Sequence, residues 1–181
     1  MTRKEKKSLN KKVTIVAATL IMLLVFTSFV LVKEHNRTTK YRLNNKLVER
    51  TRIETKGMDV HGIIQYSLDL TSAKLRFSRY NDIENGKANC VGYAKMCAEI
   101  CNYGLRANNI DGSAHSVVGH IESGGINWCK VAQSLCTKQS HKNFVKNHDF
   151  VELTTKTDIY MFDPSMYDVL GVSCLSHQSR N

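Results

Sequence analysis

Cys90, His148 and Asp163 are the residues of this chain whose types and order suit covalent chemistry. A thiol attacks a carbonyl carbon as its thiolate, so it needs a base, and the base needs a partner that fixes its ring. Cys90 sits at the head of NCVGYAKMCAEIC (89–101), a stretch with helical spacing. In the first turn of a helix, unsatisfied backbone N–H groups and the helix dipole stabilise a negative sulfur. Cys97 and Cys101 share that face, each within about 20° of Cys90 at 100° per residue. They lie inside the helix, gain no such stabilisation, and read as packing.

The base and its partner are found in NHDFVELTTKTDIYMFDPSMYD (147–168). His148 opens one predicted strand, and Asp163 closes the next, just before the single proline, Pro164. Two strands joined through the TTKTD turn run antiparallel, so the start of the first lies beside the end of the second. That makes His148 and Asp163 neighbours, and a helix beginning at Cys90 and facing them completes a Cys-His-Asp arrangement. Taken singly, His148 is an ordinary polar residue before a strand and Asp163 an Asp-Pro turn starter. Their order and spacing argue for chemistry.

The elements that must hold these groups follow from periodicity. Residues 59–75 (DVHGIIQYSLDLTSAKL) place Val60, Ile63, Ile64, Leu68 and Leu75 near one helical face, with Gly62 as a weak point. A polar, turn-rich segment follows, with a sharp turn expected at Asn85-Gly86. The helix from Cys90 is expected to stop at Tyr103-Gly104. Short strands are predicted at Ser116 to Ile121, Phe150 to Leu153 and Ile159 to Phe162, while 124–147 fits either a helix or an excursion. Helices first and strands later argue for an α+β fold over a doubly wound α/β sheet.

Residues 13–32 (VTIVAATLIMLLVFTSFVLV) are an uncharged run of 20, which at about 1.5 Å per residue spans the roughly 30 Å of a bilayer's hydrocarbon. The run is longer than the apolar region of a cleaved signal and lacks a small-residue cleavage site, so it reads as a signal anchor. Residues 1–12 carry Arg3, Lys4, Lys6, Lys7, Lys11 and Lys12 against Glu5, which favours a cytoplasmic amino terminus. The expectation is a single-pass protein of a bacterial inner membrane or cell surface, with its domain outside the cytoplasm. Residues 33–56 are polar with few large apolar positions and read as a juxtamembrane stalk with room for a stretch of helix, leaving 57–181 as one domain of common size.

The formal charge of +10 does not indicate nucleic acid. Residues 1–56 hold 14 of the 26 Lys and Arg and 4 of the 16 Asp and Glu, leaving 12 of each for the rest. The excess sits beside the apolar run, where anionic lipid head groups attract basic residues. No basic tract interleaved with aromatics follows to neutralise phosphates.

Cys129, Cys136, His141 and His148 form a chemical rival, C-x6-C-x4-H-x6-H, made of zinc ligand types. The spacing is wider than the C-x2-4-C and H-x3-5-H pairs of structural sites, and His148 cannot serve both roles. Of six cysteines, Cys97 and Cys101 do not easily bridge each other, because helix neighbours at that spacing hold their Cβ atoms about 5–6 Å apart, beyond the roughly 3.5–4.5 Å of a disulfide.

The succession Cys90-Val91-Gly92-Tyr93-Ala94, Tyr103-Gly104-Leu105, His148-Asp149-Phe150-Val151-Glu152 and Tyr160-Met161-Phe162-Asp163-Pro164-Ser165 resembles a transglutaminase-like domain, over about residues 60–170. The chain departs from that pattern at Ala88, where the family often has glycine, and at Phe150, where tryptophan is common. The resemblance implies a papain-like α+β core with the cysteine helix packed on an antiparallel sheet. It further implies Cys90 as nucleophile, His148 as general base and acid, and Asp163 as the group orienting His148. The expected activity is amide acyl transfer through a thioester on a protein or peptide substrate, giving hydrolysis, deamidation or crosslinking, with no cofactor and no metal. A domain of this kind without activity would act as a binding or scaffold module.

Overall fold

The computed structural model describes residues 41–119, 122–123, 126–127 and 148–180. The apolar run 13–32, the basic residues before it, and Cys129, Cys136 and His141 lie outside the described residues. Among the described residues no helix is long and apolar enough to cross a membrane.

The fold is α+β, with helices packed on an antiparallel sheet. Helices α1 (Asn45–Glu54), α2 (Val60–Lys74) and α3 (Cys90–Ala107) come first, with two-residue strands β1 (Arg76–Phe77) and β2 (Lys87–Ala88) between the last two. Then come β3 (Gly112–Gly119), the small pair β4 (Glu122–Ser123) and β5 (Ile126–Asn127), β6 (His148–Thr155), β7 (Asp158–Phe162), α4 (Pro164–Leu170) and β8 (Ser176–Ser179). The main sheet has the order β3-β6-β7-β8, antiparallel throughout.

Each helix starts where an Asn or Asp can accept from the first turn. Asn44, Asp59, Asn89 and Asp163 cap α1 to α4 in that order, satisfying amides that have no carbonyl partner within the helix. Gly62, expected to weaken α2, instead supplies the amide that Asp59 Oδ1 accepts at 2.8 Å.

Helix α3 lies at the centre of the packing. Its Ala94, Cys97 and Cys101 pack with Ile63 and Leu68 of α2 and with Val151, Leu153 and Phe162 of the sheet. Its Tyr93, Met96 and Ile100 pack with Leu43, Leu47 and Leu70 on another side. Each Val, Leu, Ile, Phe or Met among them contributes about 1.5–3 kcal/mol on full burial. The Asn102 carboxamide donates to Ala114 O at 2.9 Å and accepts from Ala114 N at 2.8 Å, fastening the helix to strand β3.

Two boundaries differ from expectation. Helix α3 does not stop at Tyr103-Gly104 but runs to Ala107, and Asn109 then takes φ 53°. Gly104 lies within the helix because α2 crosses there: a Cβ at that position would meet Ile63 Cγ2 at 2.8 Å. The polar segment read as a stalk holds α1, whose Leu47 and Thr51 are buried one turn apart. Sparse apolar residues suffice there because Leu43 and Leu47 fall on the side that meets α2 and α3.

Candidate active site

Cys90 is the first residue of α3, and the segment before it is held from two directions. Asn89 Oδ1 accepts from Val91 N at 3.0 Å, and Asn81 Oδ1 accepts from Asn89 N at 2.9 Å. Gly92 allows this approach, since a Cβ there would come within 2.6 Å of Asn81 Oδ1. Cys90 is 7% exposed, so its sulfur lies just beneath the surface. Cys97 and Cys101 are fully enclosed, and burial, reinforced by Cys101, pushes the Cys97 thiol well up. The four described cysteines are free thiols.

His148 is the first residue of β6, and β6 and β7 are joined through Lys156 and Thr157. The register pairs Val151 with Phe162, so Asp163, one step further on, lies diagonal to His148 on the same face of the sheet. His148 Nε2 and Asp163 Oδ2 are 2.5 Å apart, and both side chains are 2% exposed. The other carboxylate oxygen, Oδ1, accepts from Ser165 N at 3.0 Å, Met166 N at 3.0 Å and Ser165 Oγ at 2.8 Å.

Cys90 acts on the same imidazole. Burial is the largest influence on His148 and disfavours its charge, but hydrogen bonding and charge from Asp163, with a further contribution from Cys90, push its pKa up to about 11. The structure therefore brings all three residues predicted from sequence to one place.

Ser165, Asp149 and Tyr93 complete the surroundings, and sequence reasoning assigned none of them a role. Ser165 Oγ lies 3.2 Å from His148 Nε2 as well as bonding Asp163. Its position directly after Asp163-Pro164 was the available signal, since a hydroxyl in the first turn of a capped helix reaches back to the cap. Cys90 Sγ donates to Asp149 Oδ2 at 3.9 Å, and Asp149 is 2% exposed. Strand alternation alone points Asp149 away from its neighbour His148, so no signal in the sequence joined it to Cys90. Tyr93 Oη donates to Asp168 Oδ2 of α4 at 2.6 Å, one turn after the cysteine.

Among the described residues no group of three or more His, Cys, Asp or Glu side chains could hold a metal. A groove of about 700 Å³ against the first turn of α1 includes none of the residues around Cys90.

No family model matches the chain, and no curated protein matches it. A solved structure described as "Crystal structure of a TGase" aligns with a TM-score of 0.36 and 16% identity, covering 86% of this chain and 41% of that one. The chain thus spans about two fifths of that structure's length.

Proposed function

We propose that the chain is a cysteine acyltransferase or amide hydrolase with a transglutaminase-like core, in which Cys90, His148 and Asp163 act in sequence on a protein or peptide amide. The observation that carries this reading is the convergence on one imidazole: Asp163 at 2.5 Å on one nitrogen, and a helix-terminal thiol acting on the same ring. The Cys90 thiolate attacks the amide carbonyl carbon. The oxyanion meets those amides of the first turn of α3 that Asn89 does not already bind. His148, as imidazolium, passes its proton to the leaving nitrogen as the C–N bond breaks, and a thioester remains. Asp163 carries no proton in this scheme; it holds the ring and compensates its charge. Water or an amine then takes the acyl group. Residues 13–32 are proposed to anchor the enzyme in the membrane with its domain outside the cytoplasm, a reading supported by their length, their apolarity and the basic residues before them.

Alkylation under limiting iodoacetamide tests the reading. Cys90 is expected to react first, and His148→Gln is expected to slow its reaction by about tenfold or more. Equal labelling of Cys90 and Cys174, or a rate indifferent to His148, would refute it.

A further inference from the structure

The groove at the first turn of α1 is a second concavity, built from residues that play no part around Cys90. Its floor is apolar: Leu47 of α1, Leu75 at the end of α2 and Met96 of α3 are buried there, with Ile83 half-buried beside them. Its rim is cationic, with Arg42, Lys46, Arg50 and Lys74 set against one carboxylate, Glu84. Glu54 holds Arg50 at 2.9 Å, but among the described residues no ion pair joins Arg42, Lys46 or Lys74 to a carboxylate. The walls are fixed in place. Arg76 N donates to Gly86 O at 2.8 Å, and Gly86, at φ 70°, lies so close to the end of α2 that a Cβ there would sit 3.0 Å from Lys74 O. The turn that carries Glu84 is therefore fastened to the chain just after α2.

Like charges gathered around one concavity repel each other until an anion comes between them. A purely polar anion would leave the apolar floor in contact with water, so the ligand that satisfies both surfaces is an amphiphile. The volume of about 700 Å³ falls within the roughly 300–1,000 Å³ of small-molecule sites. We propose that this groove binds the head group of an anionic phospholipid, with the phosphate among Arg42, Lys46 and Lys74 and the first acyl carbons over Leu75, Ile83 and Met96. The neighbouring segment of the chain is a poor occupant, because KEHNRTTK (33–40) carries Lys33, Arg37 and Lys40 against Glu34, the same sign as the rim. Lipid is favoured over free phosphate by the apolar floor and by chain length. Eight residues separate the apolar run 13–32 from Tyr41, a tether that reaches about 30 Å at most. The argument from length rests on the reading of residues 13–32 as a membrane anchor; the groove and its charges stand without it.

The test is lysine acetylation of the full-length chain in nanodiscs, read residue by residue by mass spectrometry. Discs of phosphatidylcholine alone are compared with discs that also hold phosphatidylglycerol. The anionic lipid is expected to slow acetylation of Lys46 and Lys74 by about tenfold, the free fraction left when ligand stands near ten times its Kd. Lys156, on the β6-β7 turn with its side chain 79% exposed, is expected to react at an unchanged rate. Arg42→Gln should remove most of the protection at both lysines, and Glu84→Gln should deepen it. No protection, protection shared equally by Lys156, or protection indifferent to Arg42 overturns the proposal. So does equal protection by inorganic phosphate added to phosphatidylcholine discs, which would make the groove a free-phosphate site. A chain that stays out of the discs refutes the anchor instead, and the groove is then probed in solution with n-hexyl phosphate. That probe must protect Lys46 and Lys74 where inorganic phosphate does not, and failure there overturns the proposal as well.

Discussion

Tyr93 Oη donates to Asp168 Oδ2 at 2.6 Å, and this bond ties the first turn of the Cys90 helix to the short helix that Asp163 caps. The same carboxylate takes a hydroxyl from Ser72, and Tyr167 Oη donates to Asp69 Oδ1 at 2.5 Å, so α4 is fixed to α2 as well. The start of the Cys90 helix and the start of the helix that Asp163 caps are thus tied together by side chains outside the Cys-His-Asp set.

Tyr93→Phe removes only the hydroxyl. The expected cost is about 1.5–3 kcal/mol, the usual worth of a hydrogen bond to a charged acceptor, read from the urea midpoint. Alkylation of Cys90 should slow in the folded variant, whereas a purely structural role would leave that rate unchanged.

Ser165→Ala takes one donor from Asp163 Oδ1 and the hydroxyl beside His148 Nε2, and leaves two backbone amides on the carboxylate. Turnover of p-nitrophenyl acetate is expected to fall by about tenfold, with the circular dichroism spectrum intact. Asp163→Asn should cost more than Ser165→Ala, because it removes the charge that the imidazolium faces. The reverse order would remove Asp163 from the mechanism.

The proton on His148 links the site to stability. Its pKa rises from 6.5 to about 11 in the folded state, where Asp163 and Cys90 overcome the effect of burial. A pKa raised by folding contributes stability that is whole below the unfolded value and is lost as pH climbs through the folded one. The urea midpoint of the natural sequence should therefore decline between about pH 7 and 10, and more steeply than that of Asp163→Asn. Parallel profiles would show that this proton does not stabilise the fold.

Gly104→Ala places a Cβ at 2.8 Å from Ile63 Cγ2 where α2 and α3 cross. Overpacking at such a point costs about 1–3 kcal/mol despite the better helix propensity of alanine. A more stable variant would mean that the helices separate easily at that contact.

Leu47→Ala tests whether α1 belongs to the folded domain. Leu47 is 8% exposed and packs with Leu43, Leu70, Tyr93 and Met96. A loss of about 2–4 kcal/mol is expected, against less than about 0.5 kcal/mol if the segment were a solvated stalk.

Much of this arrangement was readable before any coordinates. The start of α3 at Cys90 follows from Asn89, a good cap placed before an apolar-periodic run. The β6-β7 hairpin follows from two β-rich stretches around a polar turn, and it alone brings His148 to Asp163. Helix α4 was not readable as a helix, because Asp-Pro suits a turn starter as well as a cap with proline at the first helical position. The length of α3 was misjudged because Gly104 is a packing contact, which sequence alone cannot separate from a stop. The packing of α1 into the domain, rather than its helicity, was concealed by its polar composition, since its buried face is narrow. The approach of Asp149 to Cys90 depends on how α3 meets the end of the sheet, a tertiary relationship with no local signature.

Asp163 divides its carboxylate between two tasks, one oxygen on the imidazole and the other at the start of α4. Asparagine in its place would still cap the helix but bring no negative charge, and glutamate would bring the charge on an arm one methylene too long for the cap. Heat or denaturant that frays those seven residues would therefore dim the chemistry well before the sheet gives way, so lost turnover would be an early warning of melting rather than its result.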